Sequence, residues 1–79
     1  VNYIRHRSDE HIARDAAERC SIVNSTLRRI TETKGFAVAH RAMCDLVRDT
    51  APGWKWIETT EPGDAYPTVS LIDPPKGLR

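Results

Sequence analysis

Residues 8–35 hold no proline and no glycine until Gly35, and this stretch limits the folds open to the chain more than any other. Within it Ile12, Ala16, Cys20, Val23, Leu27 and Ile30 recur at steps of four, four, three, four and three. At about 100° per residue those six side chains fall in one narrow sector of a helix surface. The spacing therefore predicts a long amphipathic helix over residues 8–35, or two shorter helices in the same register. Ser8, followed by Asp9 and Glu10, supplies an N-cap with acids at the positive end of the helix dipole. Lys34 and Gly35 supply a basic last turn and an αL-permissive stop.

The middle of this stretch is less settled. Residues 21–26 read Ser-Ile-Val-Asn-Ser-Thr, mostly poor helix formers or natural caps, which favours a break near Asn24. Val23, Leu27 and Ile30 keep phase with Ile12, Ala16 and Cys20, which favours one unbroken rod. Both readings stay open at this level. The face opposite the apolar stripe carries charges of alternating sign, with Glu10–Arg14, Arg14–Glu18 and Arg28–Glu32 spaced as i, i+4 pairs and Asp15–Arg19 beside them.

On either side of this stretch the signals change. Residues 1–7 alternate Val1, Tyr3 and Arg5 with Asn2, Ile4 and His6, which suits a short extended segment or edge strand. A second helix is expected over residues 36–50, with Ala39, Met43, Leu46 and Val47 on one face and Phe36 packed into the junction. Pro52 and Gly53 end it. Residues 54–73 then read as a β-hairpin. Residues 54–60 and 68–73 are rich in aromatic and β-branched types, and Glu61-Pro62-Gly63-Asp64 turns the chain between them. Residues 74–79, opening with Pro74-Pro75, form a loose tail. The fold class is α+β: a long or once-broken N-terminal helix, a second helix and a C-terminal β-hairpin, in a winged-helix-like arrangement.

At 79 residues this is one domain, able to bury only roughly 60 to 65% of its unfolded surface. Hydrophobic residues at 39% and charged residues at 29% suit a globular protein, and no apolar run approaches the ~18 residues needed to span a bilayer. No membrane partner is expected. The N-terminus lacks the apolar core of a signal peptide, so a cytoplasmic location is expected. Two cysteines, Cys20 and Cys44, are too few for a disulfide framework, and helices folded back at Gly35 would offset them by roughly 9 Å along the axis, so both are read as free thiols.

Motifs for chemistry are sparse. His40 and Cys44 stand at i, i+4, but two ligands do not make a zinc site, and no metal or cofactor is expected. No nucleophile elbow or glycine-rich phosphate loop occurs, and His6, His11 and His40 have no acid fixed beside them by sequence, so the chain is read as not an enzyme. Trp54 and Trp56 share one side of a strand, and core packing is their simplest use. Arg28 and Arg29, with Arg5, His6 and Arg7, offer basic groups for phosphates or an acidic partner, although a solvated helix face laced with ion pairs is the simpler account of them, because the Arg residues alternate with Glu.

Trp56-Ile57-Glu58-Thr59-Thr60-Glu61-Pro62-Gly63-Asp64, with Thr68-Val69-Ser70-Leu71 and Pro75-Lys76-Gly77, resembles the wing of bacterial repressors of the multiple-antibiotic-resistance-regulator type. Ala16-Ala17-Glu18-Arg19-Cys20-Ser21-Ile22 and Ser25-Thr26-Leu27-Arg28-Arg29-Ile30 resemble the two halves of a helix-turn-helix. The resemblance implies a recognition helix over residues 25–34 that enters the major groove. It implies a small regulatory domain that binds duplex DNA, with Ser25, Thr26, Arg28 and Arg29 on one segment and His40, Arg41, Arg48 and Lys55 as further contacts, and a homodimer raising phosphate affinity. The net charge of +1 and the acidic hairpin tip point instead to a non-enzymatic protein-interaction module such as an antitoxin, a phage-encoded inhibitor or an assembly domain, using the same residues against an acidic protein partner.

Overall fold

The computed structural model describes residues 2–75; Val1 and residues 76–79, which include Lys76 and Gly77 of the wing resemblance and most of the expected tail, lie outside them. In order come α1 (Asn2–Lys34), α2 (Phe36–Thr50), β1 (Lys55–Glu58) and β2 (Val69–Asp73). This is the α+β arrangement expected, with a two-stranded antiparallel sheet after two helices.

α1 is one unbroken helix of 33 residues, so the chain does not turn at residues 21–24. Threonine hydroxyls along the helix bond back to the preceding turn. Thr26 Oγ1 donates to the Ile22 carbonyl at 2.8 Å, as Thr31 does to Leu27 at 2.8 Å and Thr33 to Arg29 at 3.0 Å. The helix also starts earlier than expected. Residues 2–7 are helical rather than extended, and Ser8 lies inside α1 rather than capping it. A seven-residue alternation becomes a strand only where another strand pairs with it. With no proline or glycine before Gly35, each added helical residue gains a main-chain bond instead.

Gly35 alone separates the helices. Its φ of 99° and ψ of 162° lie in the extended region of positive φ that is open essentially only to glycine, not in the αL well expected for it. α2 then folds back along α1. Ala39, Met43 and Val47 are buried against Val23 and Leu27, with Ile30 and Leu46 packed at the margin. Phe36 does not fill the junction; it is exposed and stacks on His40, with ring centroids 6.0 Å apart. The Arg19 guanidinium, paired with Asp15 at 3.0 Å, donates to the carbonyl of Thr50 at the end of α2. Residues 2–18 of α1 therefore run past the end of α2 by about 26 Å at 1.5 Å per residue. The longest dimension of the molecule, 48 Å, is essentially the length of α1.

Two Pro-Gly turns shape the rest. Trp54 N–H bonds to the Ala51 carbonyl across Pro52-Gly53, and Asp64 N–H bonds to Glu61 across Pro62-Gly63, with Gly53 and Gly63 at φ 83° and 94°. Proline at the second place and positive-φ glycine at the third is the type II pattern. The strands pair Trp56 with Leu71, Ile57 with Ser70 and Glu58 with Val69, and Lys55 with Asp73 beyond a bulge that leaves Ile72 as the extra residue. Val69, Leu71 and Trp56 face the helices and join the core, and Trp54, in the turn before β1, is also buried.

Candidate functional site

The hairpin is docked through β2, by a side chain that takes the place of a neighbouring strand. Thr59 N–H donates to the carbonyl of Thr68 opposite it, at 2.9 Å. Main-chain bonds between antiparallel strands alternate, so Ile57 and Ser70 form the next bonded pair, while the N–H and C=O groups of Trp56, Glu58, Val69 and Leu71 point outward. On β2 the outward groups of Val69 are both claimed by Asn24 on α1. Its Oδ1 accepts the Val69 N–H at 2.9 Å and its Nδ2 donates to the Val69 carbonyl at 3.1 Å. Cys20, one turn earlier, donates its thiol to the same carbonyl at 3.1 Å.

The outward groups of Leu71 have no partner among the described residues, and β1 has no counterpart of Asn24. The outward main-chain groups of Trp56 and Glu58 have no hydrogen-bond partner among the described residues. Around them lies a surface of mixed character. Ile57 is 48% exposed on the sheet face turned away from the helices, and Ile72 at the bulge is 51% exposed. On the inner side, His40 Nε2 meets both carboxylate oxygens of Glu58 at 3.1 and 3.2 Å, with Phe36 stacked behind the imidazole. The β1 edge thus offers unpaired donors and acceptors, apolar side chains and one anchored polar pair. That is the combination an added β-strand uses.

The eight residues expected to form a binding site lie on three elements. Ser25 and Arg29 are exposed on α1, and Thr26 is turned back onto its own helix. Arg28 leans toward the hairpin tip, its guanidinium carbon 5.8 Å from the Tyr66 ring centroid and its Nε 3.4 Å from Glu32. Since successive helix positions diverge by about 100°, Arg29 does not share that direction. On α2, His40 is held by Glu58, Arg48 lies 3.7 Å from Asp45 and 3.8 Å from the Cys44 sulfur, and Arg41 is exposed. Lys55 is exposed beside the bulge. Arg28 and Arg48 each have their own acid, so their positive charge is offset locally, and the His40 imidazole is hydrogen-bonded to Glu58. The two segments read as halves of a helix-turn-helix, 16–22 and 25–30, are consecutive turns of α1, and residues 25–34 are not a separate helix.

Cys20 and Cys44 are both free. No helix among the described residues is long and apolar enough to cross a membrane. The sequence reading missed Asn24 as a docking residue and Ile57, Glu58 and Ile72 as surface. The available signal was topological: a two-stranded sheet has two edges, and a single helix covers only one. No family model matches the chain, and no curated protein or solved structure does either.

Proposed function

We propose that this chain is a non-enzymatic protein-interaction domain whose binding surface is the β1 edge with the adjoining outer face of the hairpin. The observation that carries the reading is the asymmetry of the sheet. Asn24 satisfies the outward main-chain groups of Val69, whereas those of Trp56 and Glu58 have no partner among the described residues and lie beside an exposed Ile57. An edge of this kind attracts another strand, and main-chain bonds supply affinity while alternate side chains supply selectivity. The local offsetting of Arg28 and Arg48 by acids removes part of what a phosphate backbone would bind.

The test places a photo-crosslinking residue at Ile57 or at Ser25 in the intact chain and, in parallel, titrates a fluorescent DNA duplex at two salt concentrations. Protein adducts from position 57 and none from position 25, with no salt-sensitive duplex binding, are the expected result. Salt-dependent duplex binding, weakened by Arg28→Ala or Arg29→Ala, would replace this reading with the regulatory DNA-binding one.

A further inference from the structure

We infer that the strand this edge accepts is the β1 of a second copy, so that two chains join their hairpins into one four-stranded antiparallel sheet. The inference rests on the interaction reading above and names the partner.

The argument is one of parity and symmetry. In an antiparallel pair, residues whose main-chain groups point across the gap must stand opposite one another. On the open edge of β1 those residues are Trp56 and Glu58, two positions apart. The bulge between Lys55 and Trp56 interrupts the regular edge on one side, and Pro62 stands in the turn beyond it on the other. A two-fold axis through Ile57 sets Trp56 against the partner's Glu58 and Glu58 against the partner's Trp56. All outward groups of both strands are then used in four main-chain hydrogen bonds. Of the two neighbouring registers, the one with the axis at Trp56 would require the edge to extend to Trp54, which is 7% exposed and lies before the strand, and the one with the axis at Glu58 would require it to extend to Thr60, which lies beyond the strand with its hydroxyl accepting from Thr68 N–H. An isologous contact of this kind needs no surface beyond the patch itself.

The side chains agree with the same axis. Ile57 meets its own symmetry mate as a non-hydrogen-bonded pair, the arrangement in which opposed side chains are closest. Both come from the exposed outer face. Lys55 falls opposite the partner's Thr59, and Trp56, whose indole only donates, falls opposite the carboxylate of the partner's Glu58. Each Glu58 is hydrogen-bonded to its own His40, and the axis sets it opposite Trp56 and not opposite the partner's Glu58. The contact is small, roughly half of a standard interface, and self-association is accordingly weak, with Kd on the order of 100 μM.

Sedimentation equilibrium on the chain from about 10 μM to about 1 mM tests this, across the range set by that Kd. The weight-average mass is expected to rise from one chain toward two. Ile57→Lys, which sets two ammonium groups across the axis at a half-exposed position, is expected to weaken association at least about tenfold while leaving the circular dichroism spectrum unchanged. In a Cys44→Ser background, Ile57→Cys is expected to form an intermolecular disulfide under mild oxidation, because a pair on the axis has its Cα atoms about 4.5 Å apart. Ile72→Cys is expected not to do so. A chain that stays monomeric at about 1 mM, or a dimer that survives Ile57→Lys, overturns the inference. A monomer that still yields adducts with another protein from position 57 overturns self-pairing alone; a monomer with no adducts removes the interaction reading as well.

Discussion

The side-chain amide of Asn24 forms a two-point pair with the peptide groups of Val69, donating at 3.1 Å and accepting at 2.9 Å across 45 residues of sequence. A primary amide presents one donor and one acceptor on the same edge, as a strand residue does. Asn24→Ala leaves both groups of Val69 without a partner, and is expected to cost about 2 kcal/mol. Asn24→Asp keeps the acceptor for the N–H but sets an anion against the carbonyl, and is also destabilising. Urea unfolding measures both, as lower midpoints at an unchanged slope, with faster amide exchange at Val69 than at Ala39.

The apolar stripe of α1 is uniform in sequence but not in load. Leu27 is fully buried between α2 and the sheet, whereas Ile12 lies on the part of α1 that runs past α2 and is only half-buried. Leu27→Ala is expected to cost about 3 kcal/mol, a large share of the stability of a domain this size. Ile12→Ala is expected to cost less than about 1 kcal/mol. Equal costs at the two positions would mean that α1 around Ile12 is packed as tightly as around Leu27.

Gly53 and Gly63 occupy equivalent places in two Pro-Gly turns, but their surroundings differ. A Cβ at Gly53 would stand 2.8 Å from the Cβ of Pro75, while one at Gly63 would meet open space. Gly63→Ala should therefore cost only the positive-φ strain, about 1 kcal/mol. Gly53→Ala should cost clearly more, since the neighbour is a rigid ring and not the end of a flexible side chain. Thermal unfolding of the two variants side by side gives the comparison.

The tryptophans also divide. Trp54 is buried in the turn after α2, and Trp56 packs on the core from β1 with part of its ring open to water. In Trp56→Phe the remaining indole is expected to resist acrylamide quenching, and in Trp54→Phe the remaining indole is expected to be quenched several-fold more readily. Equal quenching would contradict the placement of the β1 edge at the surface.

Much of this architecture is legible in local chemistry. The 3.6-residue spacing of Ala39, Met43 and Val47 gives the buried face of α2, and the two Pro-Gly pairs give the turns that bound β1. Gly35 marks the break between helices, although its conformation depends on how α2 returns along α1, which no local pattern encodes. Asn24 misled because its low helix propensity reads as a weak point. The same amide that disfavours a helix in isolation is what docks the sheet, and propensity carries no information about a partner 45 residues away. Residues 2–7 misled because alternation describes a strand only when something pairs with it. The β1 edge was hidden for a related reason: which edge of a hairpin stays open is decided by the helix that covers the other.

The single residue between α1 and α2 has a consequence for the order in which the chain assembles. Contacts near Gly35 close loops of about five residues, whereas the bond between Asn24 and Val69 closes one of 45. The difference in closure entropy is about 2 kcal/mol, so the helical hairpin is the cheaper nucleus and the sheet docks onto a surface already made. Until it does, the hairpin with Ile57 on β1 and Ile72 on β2 is without its anchor, and the rate of that last step sets how long the most adhesive segment of the chain stays unguarded.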